Sequence, residues 1–216
     1  YSFVSTIGFR DALKYKLNGK FYFKAKIISA EMDLSVGKVF ADFCKSNSSF
    51  TMEQLNMLKD DLETQIYFDS VYDNSVRTSE EQFVSAGSIH FDIEQTDKAI
   101  EQFFYRDYIL FSEISSFMSF PYVRFQWNSY LLESYVYRFS KKFSLSHNSF
   151  SKTLTGAIVR KGSKLEDFSS LLAQALADSG TELTENAAIN WIFQNDLTAT
   201  RRFSGIDKVL PSAKAI

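Results

Sequence analysis

The segment 127–143 carries the most regular pattern of apolar and polar residues in the chain. Its large apolar residues recur at spacings of three and four, at Leu132, Val136, Phe139 and Phe143. That spacing is typical of one face of an α-helix, and the charged residues fall mostly on other faces. The segment is therefore predicted to form an amphipathic helix at the centre of the core, with Asn128 or Ser129 as its N-cap.

Residues 35–94 show two shorter helical patterns followed by extended ones. The first helix is expected over 36–45, where apolar residues again lie three and four apart. Thr51 and Gln54 have the spacing of a capping box, which predicts that a second helix begins after Thr51. Extended chain is then predicted at 66–68 and 71–72, with a polar turn at 73–75 before Val76, and further short strands are predicted at 83–84 and 88–93.

The middle of the chain is rich in aromatic residues. Thr96 is expected to cap a helix over 97–104. Residues 105–120 are nearly saturated with large apolar side chains, which indicates a helix buried on most sides. Pro121 is expected to end that helix. A loop rich in Ser and Asn is then expected at 144–151.

The last part of the chain repeats the order of the earlier elements. A short strand is predicted at 157–160 and a helix over 165–177, closed by Gly180. Thr184 is expected to cap another helix. The remaining apolar pattern predicts a strand at 200–203 and a final helix over 206–213.

A helix, a second helix and a hairpin, in the order predicted for 35–94, resemble the winged-helix form of the helix-turn-helix family. The elements predicted for 154–216 repeat that order. The resemblance implies an α+β fold, mainly α with small β-hairpins, in which two winged-helix-like units flank an aromatic-rich helical core. The expected N-terminal segment, basic and aromatic, covers 1–34. The two winged-helix-like units cover 35–94 and 154–216, and the helical core between them covers 95–153.

Composition agrees with a packed helical interior. The 216 residues include 22 Phe and 11 Tyr but only 8 Gly and 2 Pro, and few breakers with many rings favour helices over loops. A chain of this length buries enough surface to need no disulfide. The single cysteine, Cys44, lies among apolar residues and is expected in the core of a protein from a reducing compartment.

No apolar run approaches the length of about 20 residues that spans a membrane, and no signal peptide is recognisable. We therefore expect a cytoplasmic protein without a membrane partner. The sequence begins at Tyr1 rather than Met, which suggests a piece of a larger protein whose other domains are possible partners.

Charge is unevenly distributed although the net charge is only −2. Residues 50–101 carry 3 basic and 12 acidic groups, and the flanking segments are mildly basic. Basic residues interleaved with aromatic ones are typical of surfaces that bind single-stranded nucleic acid. The candidate nucleic-acid-binding residues are Lys14, Lys16, Lys20, Lys24, Arg160, Lys161, Arg201 and Arg202.

Catalytic motifs are scarce. The sequence holds no G-x-S-x-G elbow, no P-loop and no G-x-G-x-x-G, so no cofactor is predicted. His90, Asp92 and Glu94 alternate along a predicted strand and would share one face, where they could hold a divalent metal. They leave a metal-dependent hydrolase as an alternative hypothesis.

The sequence thus favours a non-enzymatic binding module. Its predicted partner is nucleic acid, DNA or RNA, or a protein bound through the basic flanks. A protein-interaction scaffold with no role in nucleic-acid binding is the second hypothesis, and the acidic block together with the low net charge favours it.

Overall fold

The computed structural model describes residue 12, residues 22–24 and 27–29, and residues 35–216. Two short strands, β1 (Tyr22–Lys24) and β2 (Ile27–Ser29), pair antiparallel. The rest of the described chain contains eight α-helices and two antiparallel sheets of three strands each. The mixed helix and strand content confirms the predicted α+β class.

The first sheet lies among three helices. In chain order the elements are α1 (Val36–Ser46), β3 (Ser49–Thr51), α2 (Met52–Asp61), α3 (Phe68–Asn74), β4 (Ser75–Arg77) and β5 (Gln82–Ser85). Strand β5 occupies the centre of the sheet, between β3 and β4. Phe50 lies opposite Phe83 in the β3–β5 register, and their rings stack at 5.2 Å. This stacked pair closes one side of the first core.

Local capping signals place the first two helices where the sequence predicts them. The Ser35 side chain accepts the Lys38 N–H at the start of α1. Thr51 and Gln54 form the predicted capping box at the start of α2. Cys44 of α1 is fully buried in the core, and burial raises the pKa of its thiol to about 12. The expectation that Cys44 is a core residue is confirmed.

The second sheet is formed by strands distant in sequence. Its surroundings consist of α4 (Ile93–Glu101), β6 (Tyr108–Leu110), α5 (Ser129–Arg138), β7 (Phe143–Ser146) and β8 (Ala157–Arg160). Strand β8 lies between β6 and β7, and both pairings are antiparallel. A 3₁₀ turn at Phe111–Glu113 follows β6. The order of helix, strand, helical segments and hairpin therefore resembles that around the first sheet.

Helix α5 is the centre of the largest core cluster, as its apolar pattern predicts. Leu131, Leu132 and Val136 have no exposed surface, and Asn128 caps the helix through its side chain. The helix is shorter than predicted, because Phe143 already belongs to β7. The same strand takes residues 144–146 out of the loop predicted at 144–151. Nor is it amphipathic in the expected sense, since Glu133 is also buried. The helix packs against β4 of the first sheet and β7 of the second.

Several predictions between residues 66 and 120 were wrong. Most of the extended chain and polar turn predicted over 66–75 forms helix α3. Residues 88–93 form no strand; Asp92 caps α4 instead, and Thr96 lies inside that helix. Residues 105–120 form strand β6, the 3₁₀ turn and irregular chain rather than one helix. A run of large apolar residues on every side has no period that separates a buried helix from a buried strand.

The C-terminal part is helical. It contains α6 (Phe168–Ser179), α7 (Glu185–Gln194) and α8 (Ile206–Ala215), which pack against Tyr108 and Leu110 of the second sheet. Gly180 ends α6 in the left-handed conformation at φ 67°, as predicted. The strand predicted at 200–203 is absent, and bends and irregular chain occupy these positions. Within the described residues, no helix combines the length and the apolar character needed to cross a membrane.

Candidate functional site

Half of the predicted nucleic-acid-binding residues lie where side chains are not described. Lys14, Lys16 and Lys20 fall outside the described residues, and Lys24 is placed only as the last residue of β1. The other predicted cations belong to the described part of the chain. They form two pairs, one at the end of β8 and one in the loop between α7 and α8.

The pair at the end of β8 makes contacts with other residues of the fold although Arg160 is only half-buried and Lys161 is exposed. Arg160 Nη2 lies 2.6 Å from Glu101 Oε1, and the guanidinium lies 4.7 Å from the centre of the Phe104 ring. The hydrogen bond from Arg160 lowers the pKa of Glu101 below its usual value. Lys161 Nζ donates to the Ser140 carbonyl at 2.6 Å. Through these contacts both cations hold the end of the β7–β8 hairpin to Glu101 and to the Ser140 carbonyl.

The pair between α7 and α8 is exposed. The Arg201 guanidinium lies 5.2 Å from the Phe193 ring, and Arg202 makes no ion pair with any described residue. No hydrogen bond or ring contact in the described structure joins this pair to Arg160 or Lys161. Within the described structure, the pair Arg160 and Lys161 therefore has no such contact with the pair Arg201 and Arg202.

The histidine and carboxylates of the alternative metal hypothesis do not share the face of a strand. Asp92 caps α4, accepting the Gln95 N–H at 3.0 Å, and Glu94 lies in the first turn of that helix. His90 precedes them in irregular chain. Across the described residues, no three His, Cys, Asp or Glu side chains are grouped closely enough to hold a metal ion. The strand that would have aligned the three side chains was predicted wrongly.

An open groove of about 710 Å³ lies between the first sheet and the chain that leads into α5. We call it the arginine groove, after Arg124, the one charged residue among the described side chains that line it. One wall is the β3–β5 face with its flanking loops, and the other is formed by residues 124–128. Five hydroxyl side chains line it: Ser48, Ser49, Thr78, Ser79 and Ser88.

The far wall of the groove is held in place by hydrogen bonds. Trp127 Nε1 donates to the Pro121 carbonyl at 2.7 Å. The Asn128 amide donates to the Thr78 carbonyl at 2.7 Å, while its oxygen caps α5. The wall is therefore fixed to both the helix and the first sheet, and its shape exists before any ligand arrives.

An exposed aromatic ridge adjoins the groove. We define the aromatic ridge as residues 117–126, the irregular chain before Trp127. Met118 is 95% exposed and Tyr122 is 92% exposed, which are high values for side chains of this size. Residues 120–127 also line a second opening of about 490 Å³. The ridge thus combines exposed apolar and aromatic groups with the concave surfaces that its own residues line.

A buried charge network joins the two sheets behind the groove. Tyr72 of α3 donates its hydroxyl hydrogen to Glu133 of α5. Arg77 of β4 donates to Tyr72 Oη at 3.2 Å and to the Lys152 carbonyl at 2.9 Å. All three side chains in the network, Tyr72, Arg77 and Glu133, are at least 97% buried. The network connects the helix, the hairpin and the loop after β7.

Burial dominates the electrostatics of this network. It raises the pKa of Glu133 to about 7, against the smaller opposing effects of the Tyr72 hydrogen bond and the Arg77 charge. Burial and the neighbouring Glu133 also raise the pKa of Tyr72 well above its usual value. Glu133 lines neither the arginine groove nor the second opening. The network therefore has the surroundings of a structural junction rather than of a reaction centre.

The loop between β7 and β8 completes the junction. The Phe150 ring stacks on Tyr72 at 4.1 Å and meets Tyr137 edge-on at 4.7 Å. Lys152 Nζ lies 3.2 Å from Glu81 Oε1, in the loop of the other hairpin. Burial lowers the pKa of His147, whose ring lies 4.4 Å from Phe150. The two hairpin loops are consequently tied to each other.

Sequence reasoning did not identify the groove or the ridge. Arg124 and its aromatic neighbours follow a segment that was predicted as a helix ending at Pro121, and they received no role. The available signal was the run Tyr-Val-Arg-Phe-Gln-Trp after that proline, which places one cation among three rings in chain without a helical period. Comparison with protein-family models, with curated proteins and with solved structures found no match to this chain.

Proposed function

We propose that this chain is a non-enzymatic protein-binding module built from two winged-helix-like units, over residues 35–85 and 93–160. Each range contains a helix, a strand, two helical segments and a hairpin whose second strand occupies the centre of the sheet. This proposal moves the second unit from 154–216 to the region that supplies strands β6, β7 and β8. The three C-terminal helices then cover the outer face of the second sheet.

The observation that carries the proposal is the mutual burial of the surfaces through which such units contact DNA. In helix-turn-helix proteins the second helix of the motif enters the major groove. Here α3 and α5 occupy that place and pack against each other, with the buried Tyr72 of α3 bonded to the buried Glu133 of α5. Neither helix is free to enter a groove of DNA.

The charges around the junction also favour a protein partner. The exposed residues of α3 include Asp69 and Asp73, and the hairpin loop of the first sheet carries Glu80 and Glu81. Phosphates would be repelled by these carboxylates. Tyr, Trp, Phe, Met and Arg, by contrast, are the residues enriched at protein–protein interfaces, and the aromatic ridge and Trp127 supply all five.

Site-specific photo-crosslinking in the cells that make the protein tests the proposal. A photoreactive phenylalanine analogue at Tyr122 is expected to form adducts that protease destroys and nuclease leaves intact. The matched control carries the same analogue at Tyr105, which is 70% exposed and lies outside the ridge. The control position is expected to give no adduct of the same mass.

Nucleic-acid binding through the predicted cations is the competing function, tested with the same purified protein. Fluorescence anisotropy of a labelled single strand and a labelled duplex, at low and high salt, measures it directly. Salt-dependent binding that weakens in R201A/R202A protein, together with nuclease-sensitive adducts at Tyr122, would replace the protein-binding proposal by the nucleic-acid one.

A further inference from the structure

We propose that the arginine groove binds an extended peptide segment in which one acidic side chain lies next to an apolar one. The inference rests on the proposed protein-binding function and names the chemistry of the partner. The groove volume of about 710 Å³ lies within the range of roughly 300–1,000 Å³ found for ligand sites. Such a volume holds a few residues of an extended chain rather than a folded domain.

The polar lining provides free hydrogen-bonding groups for a peptide backbone. The side chains of Gln82 and Gln126 lie on opposite walls, are exposed and make no hydrogen bond with the described residues. Each carboxamide has two donors and an acceptor. A peptide backbone offers the matching alternation of carbonyl and N–H groups, so the two amides can hold it from both sides.

The outer edge of the first sheet runs along the same wall, and no strand among the described residues pairs with it. Strand β3 is an outer strand, and its inward groups are occupied: Ser85 N–H donates to the Ser48 carbonyl at 2.9 Å. The backbone of Ser49 points the other way in an antiparallel ladder, toward the open edge. An extended segment can add to such an edge through main-chain hydrogen bonds.

An apolar strip in the groove selects the neighbouring side chain. Val84 is buried at the base, and the half-buried rings of Phe125 and Trp127 stand beside it. The Trp127 ring is held by its hydrogen bond to Pro121. Because this surface is already ordered, little conformational entropy is lost when an apolar side chain packs on it.

Arg124 selects the acidic side chain. Its guanidinium is exposed, makes no ion pair with a described residue, and has its nearest aromatic contact with Phe125 at 5.7 Å. A guanidinium with free N–H groups binds a carboxylate through two parallel hydrogen bonds. Glu80 and Glu81 follow Ser79 at the rim, and they disfavour a ligand with many negative charges. One carboxylate matches one arginine.

A phage-displayed library of random linear peptides, selected on the wild-type protein after depletion on the R124A variant, tests the inference. The expected consensus places Asp or Glu next to an aromatic or aliphatic residue. A labelled synthetic peptide of that consensus should lose about tenfold or more in affinity for R124A, since a charge-assisted contact of this kind has that worth. The Q82A variant should also bind more weakly.

The R202A variant is the matched control, because Arg202 is an exposed arginine far along the chain in the α7–α8 loop. It should bind the peptide like the wild type. Replacing the peptide's acid by its amide should weaken binding to the wild type but not to R124A, since the two changes remove the same contact. Backbone amide shifts in NMR spectra should change at residues 48–49, 82–84 and 124–128.

Two results would overturn the inference. One is the absence of an enriched consensus. The other is a peptide that binds R124A as tightly as the wild type or shifts amides elsewhere, for example between α6 and α8. Either result, combined with protease-sensitive adducts at Tyr122, would leave the protein-binding function standing. Nuclease-sensitive adducts would instead remove the protein-binding function itself.

Discussion

Glu133 and Asp97 are both carboxylates of the protein interior, but their surroundings differ. Asp97 accepts hydrogen bonds from the Tyr135 and Ser140 hydroxyls, at 2.8 and 2.7 Å, and from two backbone N–H groups after Ser140. Glu133 accepts one, from Tyr72. A buried carboxylate is stabilised in its charged form by the number of donors around it. Burial raises the pKa of Glu133 to about 7, so the charge of this carboxyl changes near neutral pH.

The variant E133Q is expected to change how stability depends on pH. The pKa of Glu133 is about 7 in the folded protein and near 4.5 when the group is free. Its stabilising contribution is thus complete below pH about 4.5 and is lost as the pH rises through about 7. Gln keeps the shape without ionising, so E133Q should gain about 2–3 kcal/mol on the wild type between pH 5 and pH 8.

Urea denaturation at the two pH values measures this difference. The free energy of unfolding of the wild type is subtracted from that of E133Q at each pH. Contributions from all other ionisable groups cancel in this difference as long as the network stays intact. The control E182Q changes an exposed acid in the loop before α7 and should follow the wild type at both pH values. Parallel curves for E133Q and the wild type would show that the Glu133 carboxyl titrates as a solvated group.

At the scale of elements, the hairpin of β7 and β8 depends on one glycine. Gly156 precedes β8 and has φ +97°, a conformation that other residues rarely adopt. A Cβ atom at this position would lie 2.4 Å from the Ser146 carbonyl oxygen and 2.6 Å from His147 Cβ. The two arms of the hairpin lie too close together here to leave room for a Cβ atom.

The variants G156A and G180A separate crowding from backbone conformation. Gly180 also has a positive φ, but a Cβ there would meet nothing within 4 Å. G180A should therefore lose about 1–2 kcal/mol, the cost of the left-handed conformation alone. G156A should lose more than about 3 kcal/mol, since backbone atoms must move as well. Urea denaturation measures the free energy of unfolding of both variants. If G156A and G180A lost the same amount, the hairpin backbone would accommodate the added Cβ atom without strain.

The elements that sequence predicts correctly are those fixed by neighbouring residues. The Thr51 and Gln54 capping box and the Gly180 terminus are local signals, and each appears in the structure. Strand β6 is fixed instead by β8, whose residues lie about fifty positions further along the chain. The apolar run around Tyr108 has no period, so nothing within it distinguishes this strand from a helix.

The candidate site was hidden for a related reason. The arginine groove needs the β3–β5 face and the chain before α5 together, and only the tertiary fold brings them together. The burial of Glu133 likewise comes from α3 and β4 packing on a face that the helical pattern predicts as polar. Charge alone pointed to Arg160 and Lys161, whose cationic groups bind Glu101 and the Ser140 carbonyl of the same fold.

At the scale of the whole molecule, Arg77 links the two sheets. Besides its bonds to Tyr72 and Lys152, it donates to the Glu80 carbonyl at 2.7 Å, and its guanidinium lies 4.1 Å from the Tyr130 ring. These partners come from both hairpin loops and from α3 and α5. The Arg77 side chain thus holds the loop that contains Lys152, together with the Phe150 ring contacts and the ion pair between Lys152 and Glu81.

The variant R77M is expected to free this loop and to lower the stability of the whole protein. Removing a buried, paired charge typically costs about 3–5 kcal/mol, and the loop should then open locally without global unfolding. Limited trypsin digestion should cut after Lys152 much faster in R77M than in the wild type. The matched variant R138M loses hydrogen bonds to the Tyr72 and Ser75 carbonyls but none to the loop.

The comparison of the two variants identifies the cause of cleavage. Because R138M also destabilises the junction without touching the loop, rapid cleavage after Lys152 in both variants would mean that general destabilisation opens the loop. Rapid cleavage in R77M alone would identify the Arg77 contacts as the link that makes two units fold as one body.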